Sequence, residues 1–181
     1  MAHIHLTTEV PEDLLTEASE YLIIEAADMS ERYVILTTII AVLEGITVAG
    51  GYSTDVAYVS ETLKLKHPEE LDKSKFPACF PIDADEVKEQ MTIGDEYNLL
   101  ATLGVVITSM VFDPHGRTAE ARSELIRDVE RAMVNNVALN ALLLMPPQPT
   151  KVETDKGFFG NYSVFSQEFE LQYVYNHATG G

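Results

Sequence analysis

The residues of this chain best suited to catalysis lie in one turn, Asp113-Pro114-His115-Gly116. A histidine beside an aspartate could act as a general base or as a metal ligand. However, no cysteine partners this histidine, and the chain has no Gly-x-Ser-x-Gly nucleophile motif. We therefore interpret His115 as a solvated turn residue and predict no catalytic site.

Two further patterns could bind a metal or a phosphate group. His3 and His5 have the spacing of metal ligands, but two histidines in an N-terminal arm make a weak site. Gly50-Gly51 is followed neither by a third glycine nor by the lysine of a phosphate-binding loop. The sequence therefore predicts no resident metal and no cofactor.

An acidic stretch in the middle of the chain has enough carboxylates to attract a divalent cation. Its acids are Asp83, Asp85, Glu86 and Glu89. They lack the Asp-x-Asp-x-Asp-Gly order of a calcium loop, so a solvated acidic face explains them better. We predict that residues 83–90 form a loop with one helical turn.

Charge and composition exclude several classes of protein. With 29 acidic and 12 basic residues among 181, the formal net charge is -17, which argues against a nucleic-acid binder because such proteins present basic faces. An acidic surface would instead let DNA pass without binding. The lone Cys79 allows no internal disulfide and fits a reducing compartment. We expect neither a signal peptide nor a membrane span.

The length fits one domain with an added arm. Residues 1–29 are predicted to form that arm, with a peripheral helix from Pro11 to about Asp28 that is strongly acidic on one face. Residues 30–181 are predicted to form a single α+β domain. Its first helix follows the N-cap Ser30, and its second begins at Thr118 and continues to about residue 144.

Five segments have the composition of strands: residues 52–65, 76–82, 97–112, 150–153 and 165–175. This order of strands and helices predicts an α+β fold with a mostly antiparallel sheet of four to five strands and helices on one face. The segment 97–112 is apolar on both alternating faces, which indicates a cover on both sides. One cover would be a helix, and the other a second helix or another subunit.

Two groups of side chains are candidates for docking a partner protein. The lysines around a polar loop could pair with an acidic neighbour, and two adjacent aromatic residues in a turn could anchor a partner. The candidates are Lys64, Lys66, Lys73, Lys75, Phe158 and Phe159.

The layout from Glu31 to Tyr175 resembles the tail terminator (tail completion) proteins of long-tailed bacteriophages. The matching parts are the helix ahead of the Gly50–Asp55 corner, the apolar strand 97–112, the helix 118–137 and the closing strand 165–175. The resemblance implies a structural virion protein that forms a ring, typically of six copies, on the last ring of the tail tube. Such a ring ends tube polymerisation and joins the tail to the head-side connector.

The resemblance also implies partners and a location. The expected partners are further copies of the chain, the tail tube protein, the head-tail connector or stopper protein and, where one exists, the tail sheath. The protein would be made in the cytoplasm of the bacterial host and reside in the virion at the junction of tail and neck.

DNA would pass through such a ring without specific binding, so the channel wall should carry an excess of acids. The candidate channel acids are Asp83, Asp85, Glu86, Glu89, Glu168 and Glu170. Two alternatives remain open at this point. The chain could be another phage neck or tube subunit, or it could be a small acidic α+β ligand-binding protein or enzyme.

Overall fold

A five-stranded sheet with helices packed on one face makes up the fold, which confirms the predicted α+β class. The computed structural model describes residues 30–61, 65–90, 98–155 and 160–176. From Glu31 onward these residues belong to one compact unit. The predicted arm, residues 1–29, lies outside the described residues.

The strands and helices of the described part follow one another in the predicted order. They are α1 (Glu31–Glu44), β1 (Tyr58–Val59), β2 (Ala78–Gln90), β3 (Asn98–Phe112), α2 (Thr118–Asn135), α3 (Val137–Asn140), β4 (Gln148–Thr154) and β5 (Tyr162–Asn176). The strand order across the sheet is β1-β2-β3-β5-β4. β1 is parallel to β2, and the other neighbouring pairs are antiparallel.

The central pair of strands, β3 and β5, fixes the two faces of the sheet. Its register runs from Asn98 opposite Asn176 to Phe112 opposite Tyr162 without a shift. Because side chains alternate along a strand, each strand presents every second residue to the same face. The face that carries Leu103 is the inner face, and it is covered by the helices. The alternation predicted for the last strand is confirmed, since its aromatic and aliphatic inner residues are buried.

The hydrophobic core lies between the inner face and the two longer helices. α1 contributes Ile35, Ile39 and Leu43, and α2 contributes Leu125 and Val129, all at most 1% exposed. Burying a side chain of this size stabilises the fold by about 1.5–3 kcal/mol relative to leaving it in water. The wide apolar stripe of α1 therefore makes it part of the core, as its pattern predicts.

The opposite face of the sheet, the outer face, is covered over only part of its area. A loop of residues 65–76 packs over it, and Leu71, Phe80 and Met110 form a second buried cluster there. The expected second cover of β3 is therefore a loop of the same chain at this end. From Leu100 to Val106 the outward side chains of β3 remain partly exposed.

The acidic stretch 83–90 is part of a strand, so the predicted loop with a helical turn is wrong. β2 pairs with β3 as far as Gln90, with a shift of register between Asp83 and Glu86. Acids have a low intrinsic preference for strands, but pairing with a long neighbouring strand overrides that preference. β1 pairs with β2 only at Ala78 and Cys79, so the acids lie on an edge where charged side chains reach water.

Other boundaries also differ from the prediction, among them the start of β5, which lies at Tyr162 and not at residue 165. Within the described residues of the predicted strand 52–65, pairing in the sheet is limited to Tyr58–Val59. The helix predicted to reach residue 144 ends at Asn135, because Asn136 is extended and its side chain accepts a hydrogen bond from the Leu139 backbone N–H at 2.9 Å. That bond caps the short α3. β4 also begins two residues earlier than predicted, at Gln148.

A buried carboxylate holds the corner between α1 and β1. Asp128 of α2 is 1% exposed, and its Oδ2 accepts hydrogen bonds from the backbone N–H groups of Ser53 and Thr54 at 2.8 and 2.9 Å. The Thr54 hydroxyl donates a third bond at 2.9 Å. The corner needs a glycine at Gly51, whose φ of 86° lies in the left-handed region.

Replacing the buried carboxylate should therefore be costly. We expect Asp128→Ala to lower the free energy of unfolding by about 2–4 kcal/mol, because two partly buried backbone N–H groups and the Thr54 hydroxyl lose a charged acceptor. Urea denaturation measures this change. Glu130→Ala, an exposed residue of the same helix, is the control and should change stability by less than about 0.5 kcal/mol. A loss below about 1 kcal/mol for Asp128→Ala would contradict the assigned role.

Candidate interaction surfaces

The turn that contains His115 is organised by its aspartate. The Asp113 carboxylate accepts a hydrogen bond from the His115 backbone N–H at 2.7 Å and lies 3.4 Å from Arg117. The backbone hydrogen bond is the main cause of the lowered pKa of Asp113. The aspartate therefore stabilises the turn, and His115 itself is exposed to solvent.

A cluster of metal ligands or a reactive cysteine would indicate an enzyme site. Within the described residues, no group of three or more His, Cys, Asp or Glu residues could hold a metal ion. Cys79 is fully buried next to Ser109, and burial raises the pKa of its thiol to about 12, so it is a poor nucleophile. His3 and His5 lie outside the described residues. In the part of the chain that the structure describes, no helix is long and apolar enough to cross a membrane.

Two depressions of the described surface are small. One of about 290 Å³ lies along α2 between Arg127 and Asn135, and one of about 130 Å³ lies on the outer face beside Gly104. Pockets for small molecules usually have volumes of about 300–1,000 Å³. These two depressions are therefore too small and open to suggest a substrate.

Two of the six candidate channel acids, Asp83 and Glu86, lie in an ion-pair network on the inner side. Arg32, in the first turn of α1, pairs with both Asp83 and Glu86. The Tyr173 hydroxyl donates a hydrogen bond to Glu86 at 2.6 Å, and the Lys88 ammonium lies 3.5 Å from the same carboxylate. The network connects α1, β2 and β5 at one end of the sheet.

The network keeps Glu86 ionised. Burial acts to raise the pKa of Glu86, but the Tyr173 hydrogen bond and the charges of Lys88 and Arg32 outweigh it, so the pKa lies below its usual 4.5. Burial of Tyr173 itself, together with its hydrogen bond to the Glu86 carboxylate, raises the pKa of this tyrosine. Because the folded state favours the charged Glu86, the network stabilises the fold fully above pH 4.5 and loses its effect as the pH falls through the lowered pKa.

The pH dependence of stability tests this assignment. At pH 7 we expect Glu86→Gln to lower the free energy of unfolding by about 1–3 kcal/mol, since a charge-assisted network loses its anion. The difference from the wild type should shrink as the pH falls below 4.5 and the wild-type carboxyl takes up a proton. Chemical denaturation across this pH range measures it, with the exposed Glu89→Gln as control. A difference that stays constant down to pH 3 would contradict the prediction.

The remaining candidate acids lie apart from this network. Asp85 and Glu89 are exposed on β2. Glu168 and Glu170 project from β5 on the outer face, where Lys151 of β4 lies 3.4 Å from Glu168. The structure therefore places the six candidate acids in three separate locations.

Three of the candidate docking lysines lie together on the loop of residues 65–76, here called the lysine loop. The ammonium groups of Lys66 and Lys75 lie 5.8 and 4.8 Å from the ring centroid of Tyr58. That of Lys73 lies 5.2 Å from the ring centroid of Phe112. Such cation–π contacts contribute about 0.5–1 kcal/mol at an exposed site. Lys64, Phe158 and Phe159 lie outside the described residues.

A group of exposed aliphatic side chains, close together in the sequence, was not predicted. It consists of Val137, Leu142, Leu144 and Met145, which are 83%, 38%, 53% and 43% exposed. We call it the apolar patch. It is anchored to the sheet, because the Leu144 backbone N–H donates to the Gln172 carbonyl of β5 at 2.8 Å.

A sequence signal for this patch exists. From Ala132 to Thr150 the chain contains no Asp, Glu, Lys, Arg or His, although 23% of the whole chain is charged. The absence of charge is the feature that distinguishes an interface core from an ordinary surface.

Comparisons with known proteins add no family assignment. No protein-family model matches the chain. No curated protein sequence matches it significantly.

Proposed function

We propose that this protein is a structural subunit, without enzymatic activity, that caps the tail tube of a bacteriophage as a closed ring. The ring ends tube growth and joins the tail to the head-side connector. The observation that carries the proposal is the apolar patch, because an uncharged aliphatic surface on so acidic a chain is best explained by a protein partner.

The patch has the chemistry of a contact between subunits. Interface cores are depleted of charge and enriched in apolar side chains, and a polar rim surrounds them. Four aliphatic residues within Val137–Met145 meet the first condition, and the acids on β4 and β5 supply a polar rim beside them. A partner that covers the patch would remove its aliphatic surface from water, which favours association by about 25 cal/mol for each Å² buried.

The edges of the sheet favour contacts between side chains over strand addition. β4 contains Pro149, and its register with β5 shifts between Pro149 and Lys151. β2 carries Pro81 beyond the two residues paired with β1. Prolines, bulges and charges at an edge oppose pairing with the backbone of another chain. When two different surfaces of a subunit meet head to tail, closing the subunits into a ring avoids open-ended growth.

A lysine in the apolar patch should weaken assembly. We expect Leu144→Lys to raise the dissociation constant for subunit association at least about tenfold, because an unpaired charge would be desolvated in the contact. Sedimentation analysis of the full chain measures it.

The matched control is Val48→Lys, since Val48 is 55% exposed against 53% for Leu144 but lies outside the charge-free run. It should assemble like the wild type, and both variants should keep the wild-type thermal unfolding transition. Equal association of Leu144→Lys and wild type would rule out the patch as a subunit contact.

A ring through which DNA passes should not hold the duplex. The net charge of -17 repels the phosphate backbone, and Asp85 and Glu89 are exposed candidates for the channel wall. We expect no measurable binding of duplex DNA to the purified protein at physiological salt by fluorescence anisotropy. Tight binding that weakens steeply with salt would contradict the proposal and reveal a basic surface.

A further inference from the structure

The outer face of the sheet is covered by the lysine loop at one end and open at the other. At the open end, Leu100, Thr102 and Val106 of β3 are partly exposed, and Val87 of β2 is 56% exposed. A strand that is apolar on both faces is usually covered on both sides. The described part of the chain leaves this end of β3 without a complete second cover.

The exposed side chains at this end form neighbouring rows across the sheet. Val87 is paired with Thr102, and Leu100 is paired with Val174 of β5. Every second residue of a strand points to the same side, so the rest of the outward row of β3 continues this surface. We call it the open face, and it consists of Val87, Leu100, Thr102, Gly104, Val106 and Val174.

The centre of the open face is uncharged, and its margins are acidic. The whole of β3 contains no Asp, Glu, Lys, Arg or His. Glu89 of β2 is paired with Leu100 at one side, and Glu168 and Glu170 project from β5 at the other. An uncharged centre with a charged rim is the composition of a contact between proteins.

A depression of about 130 Å³ lies in the open face, where Gly104 has no side chain. It is lined by Ala84, Gly104, Val106 and Thr150, together with residues of β5. A depression too small for a substrate still admits one side chain of a partner. Anchoring residues of protein interfaces occupy pockets of this kind.

The open face is continuous with the apolar patch. The Leu144 backbone N–H donates to the Gln172 carbonyl at 2.8 Å, and Gln172 is paired with Thr102. Thr102 is in turn paired with Val87. One row of neighbouring residues therefore leads from the patch across β5 and β3 to β2.

The apolar patch alone is too small for a stable contact between subunits. Each partner in an interface of standard size contributes about 20–30 residues, and the patch consists of four. The helix that precedes the patch, α2, carries the exposed charges of Glu130 and Arg131 near its end. The open face instead extends the patch with uncharged side chains, so it is the better continuation of the contact.

We propose that the open face is buried against a neighbouring copy of this chain, as the continuation of the contact that the apolar patch makes. The proposal rests on the proposed ring and adds the sheet to its subunit contact. The surface of the neighbour that covers the open face is apolar, because a charge buried against uncharged strands would lose its water without gaining a partner. One side chain of the neighbour fills the depression beside Gly104, and Glu89 lies at the rim.

Thiol labelling of the full chain tests whether the open face is covered, and by what. Val87→Cys places a thiol on the open face, and Val152→Cys is the control on β4, where the valine is 45% exposed on the other side of the sheet. Cys79 is fully buried and stays unlabelled. We expect ring assembly to slow maleimide labelling at position 87 at least about tenfold relative to subunits dissociated by dilution. Labelling at position 152 should not change.

A lysine on the open face provides a second readout. We expect Val87→Lys to raise the dissociation constant for subunit association at least about tenfold, because the contact would desolvate an unpaired charge. Val152→Lys should associate like the wild type. Native mass spectrometry measures both, and both variants should unfold cooperatively near the wild-type temperature.

The outcomes separate this inference from the proposed function. A wild-type ring in which position 87 is labelled as fast as in dissociated subunits would overturn the open-face contact and leave the ring standing. Labelling that is equally slow in dissociated subunits would assign the cover to the same copy and would also overturn it, as would unchanged association of Val87→Lys. A wild-type chain that stays monomeric would reject the proposed function, and the inference with it.

Discussion

The uninterrupted pairing of β3 with β5 is the constraint on which the rest of the structure depends. Fifteen residues of each strand are matched without a shift, from Asn98 opposite Asn176 to Phe112 opposite Tyr162. A slip of one residue would move every inner side chain to the outer face. This register therefore decides that Phe169 and Leu171 enter the core while Glu168 and Glu170 face outward.

The division of the sheet into an inner and an outer face also determines where the charged side chains lie. On the inner side, the carboxylates near the core have partners. Arg32 forms an ion pair with Glu86, the Tyr173 hydroxyl donates to Glu86, and the backbone N–H of Ser53 donates to Asp128. Toward solvent, Lys151 of β4 lies between Glu153 and Glu168, at 2.7 and 3.4 Å from their carboxylates. The contacts near the core hold α1 and the corner at Ser53 and Thr54 in place, and hydrogen bonds to charged groups of this kind are the stronger ones.

The sequence predicted the fold class and the buried face of β5 because apolar alternation directly reports burial. It predicted only the first part of β2, within residues 76–82, since the acids between Asp83 and Glu89 form a strand only by pairing with β3. Spacing also could not show that Arg32 lies against Glu86, 54 residues away. The apolar patch had a readable signal in the charge-free run from Ala132 to Thr150, whereas its exposure depends on the tertiary structure.

The most direct test of the central claim is the mass and shape of the full-length protein in solution, by native mass spectrometry and electron microscopy. The account predicts one closed ring with a central channel, of a single stoichiometry and most simply six copies, that stays intact on moderate dilution. A strict monomer at micromolar to millimolar concentrations, or open filaments of variable length, would contradict it.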